Sequence, residues 1–236
     1  MIELIQDYWR PFIYSDGQQI TGLAMTLWLT SAALCLGLLL AVPLSIARVS
    51  ARRWLRWPVQ GFTYLFRGTP LYIQLLIFYT GIYSIAAVRE QPVLDAFFRD
   101  ALNCTLLAFA LNTGAYTTEI LAGAIRAMPR GEIEAARSLG FDGWKLYVHL
   151  IMPLALRRSL PAYSNEVIFV LHSTTLAFTA TIPDILKVAR DANAATFLTF
   201  QAFGVAAVLY LCITFALVGL FRLAERRWLR FLDLTR

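Results

Sequence analysis

The sequence predicts an all-α integral membrane protein with five transmembrane helices. Of its 236 residues, 58% are hydrophobic and only 15% are charged, whereas a typical soluble domain has about 25% charged residues. Four long runs contain no acidic or basic side chain, and a fifth run is interrupted by Glu166 and contains His172. The uncharged runs are 17–47, 68–88, 101–118 and 192–221, and the interrupted run is 159–182.

Each run can hold the roughly 20 apolar residues that a helix needs to cross a bilayer. Helices are the expected spanning form, because backbone groups in lipid must be hydrogen-bonded within their own segment. The predicted spans are 23–47, 68–88, 101–124, 159–182 and 198–221. Together they form one transmembrane domain, 23–221. A periplasmic or interfacial segment, 1–22, precedes it and is expected to contain a short surface helix. A C-terminal tail, 222–236, follows it.

Lysine and arginine concentrate in three segments, which follow the first, third and fifth predicted spans. Cytoplasmic segments of membrane proteins carry the excess of basic residues. We therefore expect the N-terminus outside, and the loop 127–153 and the C-terminus in the cytoplasm. The net charge of +6 is then explained by the basic residues of the cytoplasmic segments. Membrane lipid is an expected partner and nucleic acid is not, because no basic cluster falls on a soluble face.

The sequence lacks the common motifs of catalysis. It has no Gly-rich phosphate loop ending in Gly-Lys-Ser/Thr, no Gly-x-Ser-x-Gly and no His-Glu-x-x-His. Its two histidines and three cysteines are not spaced as metal ligands. We therefore expect neither an enzyme nor a cofactor or metal in this chain, and any ATP hydrolysis must come from another polypeptide.

The loop 127–153 has more pattern than a plain connection and is predicted to form two short helices joined by a turn. Glu132 and Glu134 fall in a first helical turn, where the helix dipole favours negative charge. Gly140 suits a left-handed helix end, and Asp142 can cap a second helix. Pro153 is expected to mark the turn into the next span.

A built helical loop on a membrane protein predicts a docking surface. Ala135 and Ala136 add little side-chain bulk, so we expect the backbone of a partner to approach this helix closely. The open alternative is an amphipathic hairpin that lies on the membrane surface without a partner.

The sequence Glu134-Ala135-Ala136, with Gly140 and then Leu150, Met152 and Pro153, resembles the EAA loop of the membrane subunits of ATP-binding-cassette importers. That pattern ends in Ile, any residue, Leu and Pro, and the two replacements here keep apolar side chains of similar volume. The resemblance implies the type I permease fold of these importers. It also implies that a cytoplasmic ATPase contacts Glu134, Ala135, Ala136, Arg137, Gly140 and Pro153.

Two further motifs narrow the resemblance to polar amino acid permeases. They are Arg-Gly-Thr-Pro at 67–70 and the stretch 163–174 in the fourth span. Within this group the chain resembles the M-type permeases of histidine and lysine–arginine–ornithine importers. This resemblance implies alternating-access import of basic amino acids across the bacterial inner membrane.

The same resemblance implies several partners: a related Q-type permease subunit, two cytoplasmic ATPase subunits that bind ATP and Mg, and a periplasmic amino acid-binding protein. Three alternatives stay open at this point. One is a homodimeric permease of a related arginine or polar amino acid importer. The others are an ion channel and a secondary transporter, which would also carry buried carboxylates but would not need the docking loop.

Charged residues within a span are costly and call for a partner or a function. Glu119 lies about 10 Å and Glu166 about 12 Å above the cytoplasmic edge, counted along their helices. We therefore predict that the two carboxylates lie at similar depth and hold a cationic substrate. In the alternative, one of them pairs with Arg67 or Arg126 and fixes the packing of the helices.

Other polar residues share faces with these carboxylates. Asn165 and His172 are seven residues apart, as are Glu166 and Ser173, so each pair lies on one helical face. The polar run that begins at His172 is also expected to loosen the helix. The predicted residues of the translocation path are Glu166, Glu119, Asn165, His172, Ser173, Thr174 and Thr69.

Overall fold

The computed structural model describes residues 2–229, with side chains from residue 6 onward. The rest of the predicted C-terminal tail, with two of its arginines, lies outside the described residues. The described chain is helical nearly throughout, which confirms the predicted all-α class. Its α-helices are α1 Ile2–Ile13, α2 Gly22–Val49, α3 Arg53–Gly68, α4 Leu71–Leu76, α5 Ala86–Glu90, α6 Pro92–Phe98, α7 Ala101–Arg126, α8 Arg130–Ser138, α9 Gly143–Leu146, α10 Met152–Ser173, α11 Ile185–Thr196 and α12 Thr199–Trp228.

Two of these helices, α2 and α12, are long and apolar enough to cross a membrane. Three helices match predicted spans closely, since α2, α7 and α12 start within one residue of the expected positions and extend beyond the expected ends. The stretch Leu71–Ser84 is apolar but shorter, and it continues α4 through a π-helix, Ile77–Gly81, and a 3-10 helix, Ile82–Ser84.

The predicted second span, 68–88, is wrong in both its start and its continuity. The chain is already helical from Arg53, and it breaks at Thr69 and Pro70, which both adopt extended backbone conformations. Proline lacks a backbone N–H and disfavours a helical residue before it. The Gln74 side chain covers the break, because its Nε2 donates to the carbonyl oxygens of Phe66 at 2.8 Å and Thr69 at 3.0 Å.

The fourth predicted span also needs correction at its start. Pro153 makes no turn, because the chain is helical from Gly143 through a π-helix, Tyr147–Ile151, into α10. Pro153 directly follows the π-helix, where the regular hydrogen bonding of the α-helix already changes, so its missing N–H falls at a break in that pattern. At the other end, the predicted loosening is confirmed, since α10 gives way at Thr174 to a 3-10 helix, Thr174–Ala180.

The centre of the fold is the packing of α2 against α7. Gly37 of α2 lies so close to α7 that a Cβ atom there would be 2.4 Å from Cγ2 of Thr113 and 3.1 Å from the backbone nitrogen of Gly114. Leu29 and Ala33 of α2 and Phe109 of α7 are almost fully buried in the same core. Small residues let two membrane helices approach closely and gain dispersion contacts.

A second apolar cluster joins the ends of the chain. Phe12 of α1 is 2% exposed and packs with Ile185 of α11 and Ala202 of α12. The predicted N-terminal helix is therefore present, and its last turn is anchored in the core. The Thr21 hydroxyl donates to the carbonyl oxygen of Pro11 at 2.7 Å, which fixes the turn between α1 and α2.

Candidate functional site

The predicted docking loop is built from α8, a tight turn and α9. Gly140 follows α8 with φ +81°, a left-handed conformation that strains other residues. Its N–H donates to the carbonyl oxygen of Arg137 at 2.9 Å, and the N–H of Phe141 donates to that of Ala136 at 3.1 Å. These are the two hydrogen bonds of a Schellman helix end, so the predicted role of Gly140 as a cap is confirmed.

One face of α8 is open to solvent. Glu134, Ala135 and Arg137 are exposed, and Leu139 in the following turn has an exposed fraction of 78%. Ala136 is instead 9% exposed and packs against the chain's own apolar cluster under the loop. Its side chain points away from that open face, because adjacent helical residues point about 100° apart, and the predicted contact of Ala136 with the ATPase stays a prediction.

The second part of the loop differs in detail from the sequence prediction. Asp142 precedes α9 as expected, but its side chain accepts no capping hydrogen bond. Beside α8 lies an open apolar hollow of about 420 Å³, whose walls include Leu139, Phe141, Leu150 and Leu154. The exposed leucine could insert into an apolar pocket of another protein, and the hollow beside it could accept an apolar side chain of that protein.

The Glu119 side chain is held by two neighbouring helices. Its Oε1 accepts hydrogen bonds from Nε of Arg48 at 2.6 Å and from the Thr63 hydroxyl at 2.9 Å, and Arg126 Nη2 lies 3.8 Å from its Oε2. The carboxylate therefore joins α7 to α2 and α3. This arrangement follows the structural alternative for Glu119, with Arg48 as the nearest cation.

The expected pair of carboxylates at one level is not formed. Glu166 accepts a hydrogen bond from the Thr113 hydroxyl at 2.8 Å, and Thr113 precedes Glu119 on α7 by six residues, or about 9 Å. The two carboxylates contact different helices and do not converge on one ligand. A count of residues from the cytoplasmic ends of two helices predicts equal depth only if the helices are aligned. The helices α7 and α10 are offset along their axes, so Glu119 and Glu166 lie at different levels.

Glu166 remains the weakly compensated carboxylate of the two. It is 6% exposed, and Thr113 is the one side chain that hydrogen-bonds to it within the described residues. Burying an ionised carboxylate is costly unless a charge or several donors compensate it. A cation that reached this position would therefore be stabilised.

Next to Glu166, α10 presents an exposed face with Asn165, Phe169 and His172, which are spaced four and three residues apart along the helix. The Phe169 ring lies 6.1 Å from that of Tyr116, and the Arg67 guanidinium lies 5.1 Å from the centre of the Tyr116 ring. An imidazole, an amide and a guanidinium on one surface favour contact with water or protein over contact with lipid.

The other predicted path residues have different surroundings. Nε2 of His172 is 3.1 Å from the Thr214 hydroxyl, and Ser173 is half-buried. Thr174 is fully buried, and its hydroxyl donates to the carbonyl oxygen of Leu171 at 2.7 Å. The Thr69 hydroxyl donates to the carbonyl oxygen of Leu65 at 2.8 Å and accepts from Gln74 at 2.8 Å. Thr174 and Thr69 thus satisfy the backbone at helix breaks.

Several residues of these sites could not be assigned from the sequence. Arg48, Thr63 and Thr113 bond to the two carboxylates from positions far away in sequence, and no local pattern marks them as partners. Phe169 does carry a signal, because it falls on the face that Asn165 and His172 share.

Apolar helices joined by an exposed helical loop are the features expected of a permease subunit of a transporter. Comparison with known proteins agrees with this class. The chain belongs to the family described as "Binding-protein-dependent transport system inner membrane component", whose model matches residues 18–230. It is therefore a permease subunit of an ATP-driven importer, in which a separate subunit carries the ATPase.

Individual relatives align with nearly the whole chain. The sequence is 60% identical over 230 residues to the histidine/lysine/arginine/ornithine transport system permease protein HisM of Salmonella typhimurium, covering 98% of both chains. It is 58% identical to HisM of Escherichia coli K12, covering 98% of this chain and 97% of the relative. A solved amino acid ABC transporter with histidines has a TM-score of 0.74 and 29% identity, covering 86% of this chain and 90% of that one. The fold of ABC importer permeases is thus confirmed.

The helix end at Gly140 yields a test of the docking loop. Gly140→Ala should weaken binding of the partner ATPase by up to about thirtyfold, because a side chain in the left-handed region costs about 1–2 kcal/mol. The measurement is ATPase affinity for the purified permease in nanodiscs. The matched control is Gly131→Ala in α8, where an added Cβ would meet no atom within 4 Å. Equal affinities for the two variants would contradict the role of Gly140.

Proposed function

We propose that this chain is the M-type permease subunit of an importer for histidine, lysine, arginine and ornithine in the bacterial inner membrane. The observation that carries this assignment is the 60% identity, over 98% of both chains, to a permease named for these four substrates. The weakly compensated Glu166 beside a polar face of α10 suits cationic substrates. The chain would import them by alternating access.

The proposed topology has five crossings, with the N-terminus outside and the C-terminus inside. The crossings are α2, the stretch from α3 to Ser84, α7, α10 with its 3-10 extension, and α12. About 30 helical residues from Arg53 to Ser84 span about 45 Å, which is enough for a hydrocarbon core of about 30 Å despite the break at Pro70. The basic segments at the cytoplasmic ends support this orientation.

Reporter fusions test this topology. A reporter that is active only in the periplasm should be active when fused after Asp191 in α11 and inactive when fused after Asp142 in the docking loop. The physical basis is the cost of moving basic segments across the membrane. Activity after Asp142, or inactivity after Asp191 with a stable fusion protein, would contradict the five-crossing topology.

The proposed assembly pairs this chain with a related Q-type permease and places two ATPase subunits under the pair. ATP and Mg would bind to the ATPases, and a periplasmic binding protein would deliver the substrate from the opposite side. The exposed residues Glu134, Ala135, Arg137 and Leu139 would form the ATPase contact. Gly140 would support this surface, whereas Ala136 and Pro153 would act from within the chain.

The proposed translocation surface is the exposed face of α10 with the neighbouring aromatic and basic side chains. Asn165, Phe169 and His172 line it in sequence order, and Glu166 lies directly behind Asn165. Half-buried Ser173 continues the face of Glu166. Glu119 would act as a structural anchor, because Arg48 and Thr63 occupy its Oε1.

Glu166→Gln tests the substrate contact. The variant keeps the shape and hydrogen-bonding capacity of the side chain and removes its charge. At a pH where the histidine side chain is neutral, uptake of arginine and lysine should fall relative to histidine by about 1–3 kcal/mol, or roughly five- to 150-fold. The measurement is uptake by the complete complex in proteoliposomes with saturating binding protein.

The control for this experiment is Glu119→Gln. Because Glu119 is paired with Arg48 inside the chain, its loss should affect all substrates alike through stability or assembly. If Glu166→Gln also lowered uptake of all substrates equally, the direct contact with the cationic group would be refuted.

A further inference from the structure

The docking loop is tied to α10 by an ion pair that neither the sequence pattern nor the family resemblance indicates. Nη2 of Arg158 donates to Oε1 of Glu132 at 2.9 Å. Glu132 is in the first turn of α8, and Arg158 is in the second turn of α10. Within residues 6–229, this is the one ion pair that joins the loop to a long helix.

The other attachments of α8 are modest. Ala136 is the single buried residue of the helix, and only Ala136 and the half-buried Ile133 of α8 contact the apolar cluster under the loop. The opposite face, with Glu134 and Arg137, is exposed and available for a partner. Besides the chain connections at its two ends, α8 contacts the rest of the protein through Ala136, Ile133 and the Glu132–Arg158 pair, and this pair is its direct polar link to α10.

The pair is only half formed in this structure. Oε2 of Glu132 and Nε of Arg158 are both buried, and neither has a hydrogen-bond partner. The guanidinium is a rigid planar fork that binds a carboxylate through two parallel hydrogen bonds when the alignment permits. The two free atoms belong to the same two groups, so a small shift of α8 relative to α10 can form the second bond.

The position of Arg158 gives this contact a mechanical consequence. Arg158 lies on the same helix as Glu166, eight residues or about 12 Å earlier. The exposed face with Asn165 and His172 follows on this continuous helix. A shift of the cytoplasmic end of α10 therefore displaces the proposed translocation surface directly.

We propose that Glu132 and Arg158 are positioning residues that transmit the movement of α8 to α10, and that their contact changes from one hydrogen bond to two when the ATPase closes. This inference rests on the proposed ATPase docking. The charge-assisted hydrogen bond makes the contact strong. The contact also has two discrete arrangements, with one hydrogen bond or with two, and a contact that transmits movement needs both properties.

The test compares transport with ATP hydrolysis in the same proteoliposomes, with the complete complex and saturating binding protein. Glu132→Arg and Arg158→Glu should each lower the amount of substrate imported per ATP hydrolysed by about tenfold or more. The double reversal, Glu132→Arg with Arg158→Glu, should restore at least half of the wild-type ratio. Arg158→Lys keeps the charge and loses the fork, so its ratio should lie between wild type and the reversals.

The matched control is the exposed pair Lys187–Asp191 on α11, whose Nζ and Oδ1 are 2.6 Å apart. Reversing both of its charges should leave the ratio unchanged. The proposal is overturned if the single reversals keep the wild-type ratio, or if the double reversal recovers nothing.

If the charge reversals prevent assembly of the complex, the Arg158→Lys variant becomes the test. A wild-type ratio of import to ATP hydrolysis for that variant would also overturn the proposal. Failure of the proposed function is a separate result, because the wild-type complex would then import no basic amino acid.

Discussion

The structure depends on the cost of placing charge among apolar helices, and three acidic residues meet that cost in different ways. Glu119 is neutralised by Arg48 and tied to Thr63, so it joins three helices. Glu132 pairs with Arg158 at the edge of the docking loop. Glu166 has a single hydroxyl partner. Since ion pairs compensate buried charge far better than one neutral hydrogen bond, Glu119 serves the scaffold, Glu132 links the docking loop to α10, and Glu166 is the proposed partner of a passing cation.

These contacts divide the chain into a rigid part and a moving part. The close approach of α2 and α7 at Gly37 resists any sliding, because a displaced helix would lose contacts across the whole interface. The loop continues through the π-helix into α10, and α8 contacts this stretch through a small apolar cluster and one ion pair. In the proposed mechanism α10 would shift against the α2–α7 pair, and the π-helix before α10 and the 3-10 helix after it are the places where the helical hydrogen bonding already changes.

The sequence predicted those features that local chemistry determines. Charge-free runs located α2, α7 and α12, and Gly140 marked the end of α8 because few other residues tolerate its backbone. The helix α3 escaped prediction, since its arginines and its apolar residues alternate around an amphipathic surface. Arg48 and Glu119 are separated by 71 positions, so their pairing depends on the packing of α2 against α7. The burial of Ala136 could not be predicted from the sequence, because two adjacent alanines give no sign of which one points inward.

We propose that the loop around α8 is the surface through which an ATPase drives this permease. Photo-crosslinking in inner membrane vesicles that contain the whole transporter tests this contact most directly. A photoreactive amino acid would replace Leu139, which is 78% exposed beside α8, or Phe200, which is 85% exposed at the start of α12. We expect a crosslink to the ATPase subunit from position 139 and none from position 200. Absence of the ATPase crosslink at 139 in actively transporting vesicles, or equal crosslinking at both positions, would contradict it.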